Sequence, residues 1–107
     1  MNADHIVCAL DDIASGSVQR FVIGDRAIAV VRIDDAVYAI GDRCSHAEVS
    51  LSEGEVLRKS KELECAKHGS AFSLITGKPS TLPATAPVPV YAAKVVDGKV
   101  VITVTPQ

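Results

Sequence analysis

Apolar and polar positions alternate in short runs along most of the chain. Ile6 to Leu10, Val18 to Ile23, Ala27 to Ile33 and Ala36 to Ile40 are rich in β-branched residues and are separated by Ser15-Gly16, Gly24-Asp25 and Asp34-Asp35. Runs of this length and composition, bounded by turn formers, predict strands. Val88 to Val96 and Lys99 to Val104 extend the pattern, joined by Asp97-Gly98. That pair predicts a tight hairpin, because the turn that follows strand twist needs positive φ at both central positions. Asp11-Asp12-Ile13-Ala14 can supply one helical turn, and nothing in the pattern supports a long helix.

Between Gly41 and Pro87 the periodicity gives way to short apolar pieces and loops. Within this stretch Glu55-Val56-Leu57 and Glu62-Leu63-Glu64 can pair across a tip at Leu57 to Lys61, and Ala71 to Leu74 can add a third strand before a turn at Thr76-Gly77-Lys78-Pro79. The reading is an all-β chain of one domain, residues 1–107. An antiparallel base sandwich or barrel comes from 1–40 and 88–107, with a small subdomain, 41–87, inserted between its two halves.

Composition narrows the class. At 107 residues the chain is one small domain, too short to carry a separate catalytic domain. Tryptophan is absent and aromatics are few, so the core must come from Val, Ile, Leu and Ala. The net charge is −2, with no basic tract beyond the short Arg58-Lys59-Ser60-Lys61 tip, which reads as a solvated turn. This argues against nucleic acid or an anionic membrane as partner. No apolar run approaches the roughly twenty residues that span a bilayer, and Met1 to His5 lack the basic flank of a secretion signal. A soluble, cytoplasmic protein is expected.

The candidate chemistry lies in the insert. Cys44-Ser45-His46 and Cys65-Ala66-Lys67-His68 each offer one thiolate and one imidazole to a common metal centre. Zinc knuckles usually draw two cysteines from one element and two histidines from another. Mixed pairs suit a two-iron centre, and a closed zinc site used for protein interaction stays open as the alternative. Cys8 and His5 fall outside both pairs and read as structural or surface residues. An odd apolar thiol such as Cys8 fits a reducing compartment.

Here the chain resembles the Rieske ferredoxins, whose signature is Cys-x-His, a spacer, then Cys-x-x-His, with two cysteines on one iron and two histidines on the other. Gly77, Leu82-Pro83-Ala84 and Pro87-Val88-Pro89-Val90-Tyr91 are similar in order to that family's proline-containing third loop and its return to the base sheet. The spacer from Ala47 to Glu64 is slightly longer than the family pattern, consistent with extra residues at the Leu57 to Lys61 tip. The resemblance implies the Rieske fold and one [2Fe-2S] cluster held by Cys44, His46, Cys65 and His68. It also implies that the Ser70 hydroxyl donates to a bridging sulfide.

High-potential members carry an extra cysteine in each ligand loop and a tyrosine near the second. Here Val49, Lys67 and Phe72 stand at those places. The absent disulfide and the absent phenol place the expected potential low in the family range, roughly from −150 mV to mildly positive values. Neutral imidazoles on one iron leave the oxidised core neutral, which eases one-electron reduction, and their outer nitrogens make the potential depend on pH.

The function implied is one-electron transfer from a flavin-dependent ferredoxin reductase to a terminal oxygenase, by a monomer that is not itself an enzyme. The chain cannot be that oxygenase, because only His5 remains for a mononuclear iron. Ala47, Val49, Leu82, Pro83 and Ala84 are expected to form an apolar contact centre, with Glu48, Glu53 and Lys67 at its rim. The remaining reading is a small Rieske subunit held permanently in another oxidoreductase.

Overall fold

The computed structural model describes residues 3–24, 26–42, 50–65, 71–79 and 87–104. Nine strands cross them: β1 (Ala3–Ala9), β2 (Ser17–Ile23), β3 (Arg26–Ile33), β4 (Ala36–Gly41), β5 (Glu55–Leu57), β6 (Glu62–Glu64), β7 (Ala71–Ser73), β8 (Val90–Val96) and β9 (Lys99–Val104). Six form one antiparallel sheet in the order β1-β9-β8-β4-β3-β2, and β5-β6-β7 form a second. The only regular helical pieces among the described residues are 3-10 turns at Leu10–Asp12 and Leu51–Glu53. The all-β expectation holds.

β3 explains how the two sheets share one core. Its run Ile28-Ala29-Val30-Val31 is fully buried, so both faces of the strand are covered. Continuous rather than alternating hydrophobicity is the sequence mark of such a strand. On one face Ile28 and Val30 pack with Ile13, Val37, Ala39, Val100, Ile102 and Val104, which is the interior of the large sheet. On the other, Ala29, Val31 and Ile33 pack with Ile40, Leu51, Leu63, Cys65, Phe72, Leu74 and Val88, joining the large sheet to the small one. At about 25 cal/mol per Å² of apolar area, burying side chains of the size of Phe72, Leu63 and Leu51 contributes roughly 2 kcal/mol each.

Three local features differ from the sequence reading. β1 starts at Ala3 rather than Ile6, because its polar end is tied to β9: Thr103 Oγ1 donates to Asp4 Oδ1 at 2.7 Å, and Lys94 Nζ lies 3.7 Å from the same carboxylate. β8 starts at Val90, since Pro89 has no N–H for a ladder and the Val88 N–H donates instead to the Gly77 carbonyl at 2.9 Å. The basic tip is not merely solvated. Arg58 Nη2 reaches Asp34 Oδ1 at 3.2 Å and Ser15 Oγ at 3.5 Å, which ties the β5–β6 tip to the turn between β3 and β4.

Asp97 and Gly98 have φ of 51° and 73°, as the two-residue hairpin between β8 and β9 requires. Cys8 is half-buried against the interior of the large sheet around Ile28, Val30 and Val100, next to the register shift in β1 between Ile6 and Cys8.

Candidate metal centre

Of the four proposed ligands only Cys65 belongs to the described residues. Cys44, His46 and His68 lie outside them, as do Ser70 and the contact residues Ala47, Glu48, Val49, Lys67, Leu82, Pro83 and Ala84. Glu53 is described and is exposed. What the structure does fix is the set of stems from which the segments carrying the candidate ligands depart.

Cys65 follows the last residue of β6 and is fully buried in the cluster of Leu51, Leu63, Phe72 and Val88. It forms no disulfide. The segment after it returns at Ala71, the register partner of Glu64, so departure and return sit on neighbouring strands. Phe72 is fully buried beside it and offers no hydroxyl.

The stem of the first segment is Asp42, at the end of β4. Its carboxylate is almost wholly buried, with its side chain 2% exposed. Oδ1 accepts the Ser52 N–H at 2.8 Å, and Oδ2 lies 3.0 Å from Nε of Arg20, which reaches across β3 from β2. The Asp42 N–H donates to the Ala27 carbonyl at 3.0 Å, and its carbonyl accepts the Leu51 N–H. Both ends of the Asp42-to-Ser50 span are therefore held, and a buried charge here is matched by a cation and an amide as it must be. Nothing in the hydrophobic pattern marks Asp42 or Arg20.

The third stem joins the other two. Pro79 bridges to Phe72, the Gly41 N–H donates to the Pro89 carbonyl at 2.8 Å, and Val88 is tied to Gly77. Gly54, beyond the first stem, approaches the Glu64 carbonyl so closely that a Cβ there would lie 1.7 Å from the oxygen. Backbone contacts thus brace all three stems against one another.

The charge beside Cys65 is negative. Glu55 and Glu64 are direct register partners on β5 and β6, and Glu64 directly precedes Cys65. A buried thiol free of disulfides, at the junction of three braced stems, is the donor type an iron–sulfur cluster takes, so Cys65, the one candidate ligand among the described residues, fits such a group.

Comparison with known proteins gives the same direction. Residues 3–92 match the family model described as the Rieske [2Fe-2S] domain. The chain is 38% identical over 97 residues to ferredoxin CarAc of Metapseudomonas resinovorans, covering 90% of this chain and 89% of that one. It is similar in structure to the ferredoxin of carbazole 1,9a-dioxygenase from Nocardioides aromaticivorans IC177, with a TM-score of 0.90 and 35% identity over 92% of this chain and 95% of the other. A third similarity is to a chain in the complex of reduced oxygenase and oxidized ferredoxin of carbazole 1,9a-dioxygenase, at TM-score 0.85 and 37% identity, covering 92% and 91%.

Proposed function

The chain belongs to the Rieske [2Fe-2S] domain family, and on that premise we propose that it holds one cluster through Cys44, His46, Cys65 and His68 and delivers single electrons to a terminal oxygenase. It is a ferredoxin, an electron-transfer component rather than a catalytic enzyme, like the relatives it matches. The observation that carries the ligand set is the buried, disulfide-free Cys65 at the braced stems, combined with the mixed pair spacing of the sequence.

When bound, the cluster supplies the one-electron couple, with imidazole ligation raising its potential above that of all-cysteine clusters. Cys65 offers its thiolate from the core side, where Leu51, Leu63 and Phe72 exclude water. Cys44 and His46 are offered from a segment whose stem is fixed by Asp42, and His68 from the segment that leaves at Cys65. Phe72 adds no hydrogen bond to a ligand sulfur, and the acidic pair Glu55 and Glu64 disfavours extra negative charge nearby. Both hold the potential low.

The oxygenase partner is supported by the similarity to a ferredoxin seen with its oxygenase. A flavin-dependent ferredoxin reductase is the electron source in this reading, and the chain acts as a cytoplasmic monomer. Residues 1–40 and 88–107 form its base, and 41–87 carry the cluster. No helix among the described residues is long and apolar enough to cross a membrane.

The test couples NADH, a flavoprotein ferredoxin reductase and cytochrome c as final acceptor. The chain should make cytochrome reduction depend on its concentration, and His46→Ala and His68→Ala should abolish both that dependence and the bound iron. Full activity and iron content in either variant would overturn the ligand set.

A further inference from the structure

Asp42 is the one buried ionic side chain among the described residues, and it directly precedes Arg43 and Cys44. A group that costs several kcal/mol to desolvate is held here by one guanidinium and one amide, both from elements remote in sequence: Arg20 on β2 and Ser52 in the 3-10 turn. We infer that Asp42 and Arg20 form a positioning pair for the first ligand segment and set part of the electrostatic field in which the cluster takes up its electron. The inference rests on Cys44 and His46 being ligands.

Two consequences follow from the geometry. The Asp42 carboxylate ties the return of the segment, through the Ser52 N–H, to the strand from which it departs, so the segment is closed at its mouth. The pair also carries opposite charges of unequal burial: the carboxylate is sequestered, whereas the Arg20 side chain is 52% exposed. Solvent therefore screens the cation more than the anion. Neutralising the carboxylate leaves an uncompensated positive charge near the ligand segment and favours the reduced state. Neutralising the arginine leaves a buried negative charge and disfavours it.

The opposite signs separate this role from simple support of the fold. The experiment measures the potential of the holoprotein by voltammetry, and amide hydrogen exchange of the peptide spanning 43–52 by mass spectrometry. The proteins are wild type, Asp42→Asn, Arg20→Gln, Arg20→Lys and the double variant Asp42→Asn/Arg20→Gln. Asp42→Asn should raise the potential and speed exchange at Ser52 about fivefold, because the asparagine oxygen still accepts the Ser52 N–H but without the charge that strengthens the bond. Arg20→Gln should lower the potential, Arg20→Lys should restore it, and the double variant should return close to wild type.

Potentials that shift in the same direction in Asp42→Asn and Arg20→Gln, or exchange unaltered in Asp42→Asn, would overturn the inference. If Asp42→Asn does not fold, the Arg20 variants still decide it through the sign of the shift and its rescue. If the wild type binds no cluster, the ligand reading fails, and the exchange comparison decides the pinning on its own.

Discussion

Replacing Gly54 with alanine adds one methyl group at the place where the first stem meets the strand that leads to Cys65. The backbone there, φ −89° and ψ −166°, is open to any residue, so the requirement for glycine is one of contact. The new Cβ would lie 1.7 Å from the Glu64 carbonyl oxygen and 2.9 Å from its carbon, whereas ordinary contact begins near 3.4 Å. The obstructing atoms are backbone, held by pairing of β6 with β5 on one side and β7 on the other, and cannot move aside as a side chain could. Relief of about 1.7 Å must come from opening the β5–β6 ladder. Overpacking costs about 1–3 kcal/mol, and one lost backbone hydrogen bond adds about 1 kcal/mol. An overall loss of about 3 kcal/mol corresponds to a melting point roughly 12–24 °C lower in a domain of this size. Thermal scans of the holoprotein by far-ultraviolet circular dichroism and visible absorbance should show both transitions falling together, since Cys65 follows Glu64 directly. A glycine free of contact would behave oppositely, gaining about 0.4–1 kcal/mol from the stiffer unfolded chain. A melting point unchanged or raised in Gly54→Ala would refute the contact argument.

Three further outcomes follow from charge and exposure. Glu64→Gln removes a like-charge pair with Glu55 beside the proposed ligand Cys65, so it should stabilise the protein by a few tenths of a kcal/mol and raise the potential; a lowered potential in voltammetry would contradict this. Arg58→Ala loses the contact with Asp34 between two groups that are largely exposed, and urea denaturation should register less than about 1 kcal/mol; a double-mutant cycle with Asp34→Ala giving more would show that the tie between tip and base is stronger than its exposure implies. Burial, and then the Asp12 carboxylate, push the Cys8 thiol above its ordinary range. The unfolded chain therefore loses its proton first, and this contribution to stability, present at neutral pH, declines as pH rises through the alkaline thiol range. Cys8→Ala should remove that alkaline component without loss of iron, and Cys8 in the native protein should alkylate slowly at neutral pH.

Local chemistry made much of the fold legible. The Asp97-Gly98 hairpin could be read because two residues alone determine its turn, and Lys99–Val104 has the bounds its alternation suggests. Glu55–Leu57 and Glu62–Glu64 pair as their matching apolar centres, Val56 and Leu63, imply. β3 was readable as a strand, and its continuous apolar run is the mark of burial on both faces, but that the small sheet supplies the second cover follows only from the assembled fold. The extension of β1 to Ala3 and the late start of β8 depend on contacts between distant segments: Asp4 with Thr103, and Val88 with Gly77. At the site, the spacing of the two mixed pairs marked Cys65 as a candidate ligand, and the structure adds that it is buried beside Phe72 and Leu63. The Asp42 and Arg20 pair was not legible in this way, because a charged residue in sequence gives no sign of whether it will be buried until the strands between are assembled.

The central claim is a cluster with mixed ligation, and electron paramagnetic resonance of the anaerobically prepared, dithionite-reduced protein tests it most directly when iron, sulfide and zinc are quantified on the same sample. The account predicts two irons and two sulfides per chain and a rhombic signal with a low average g value, which His46→Ala and His68→Ala abolish and Cys8→Ala leaves intact. A silent, colourless, zinc-loaded protein that iron and sulfide fail to reconstitute would contradict it.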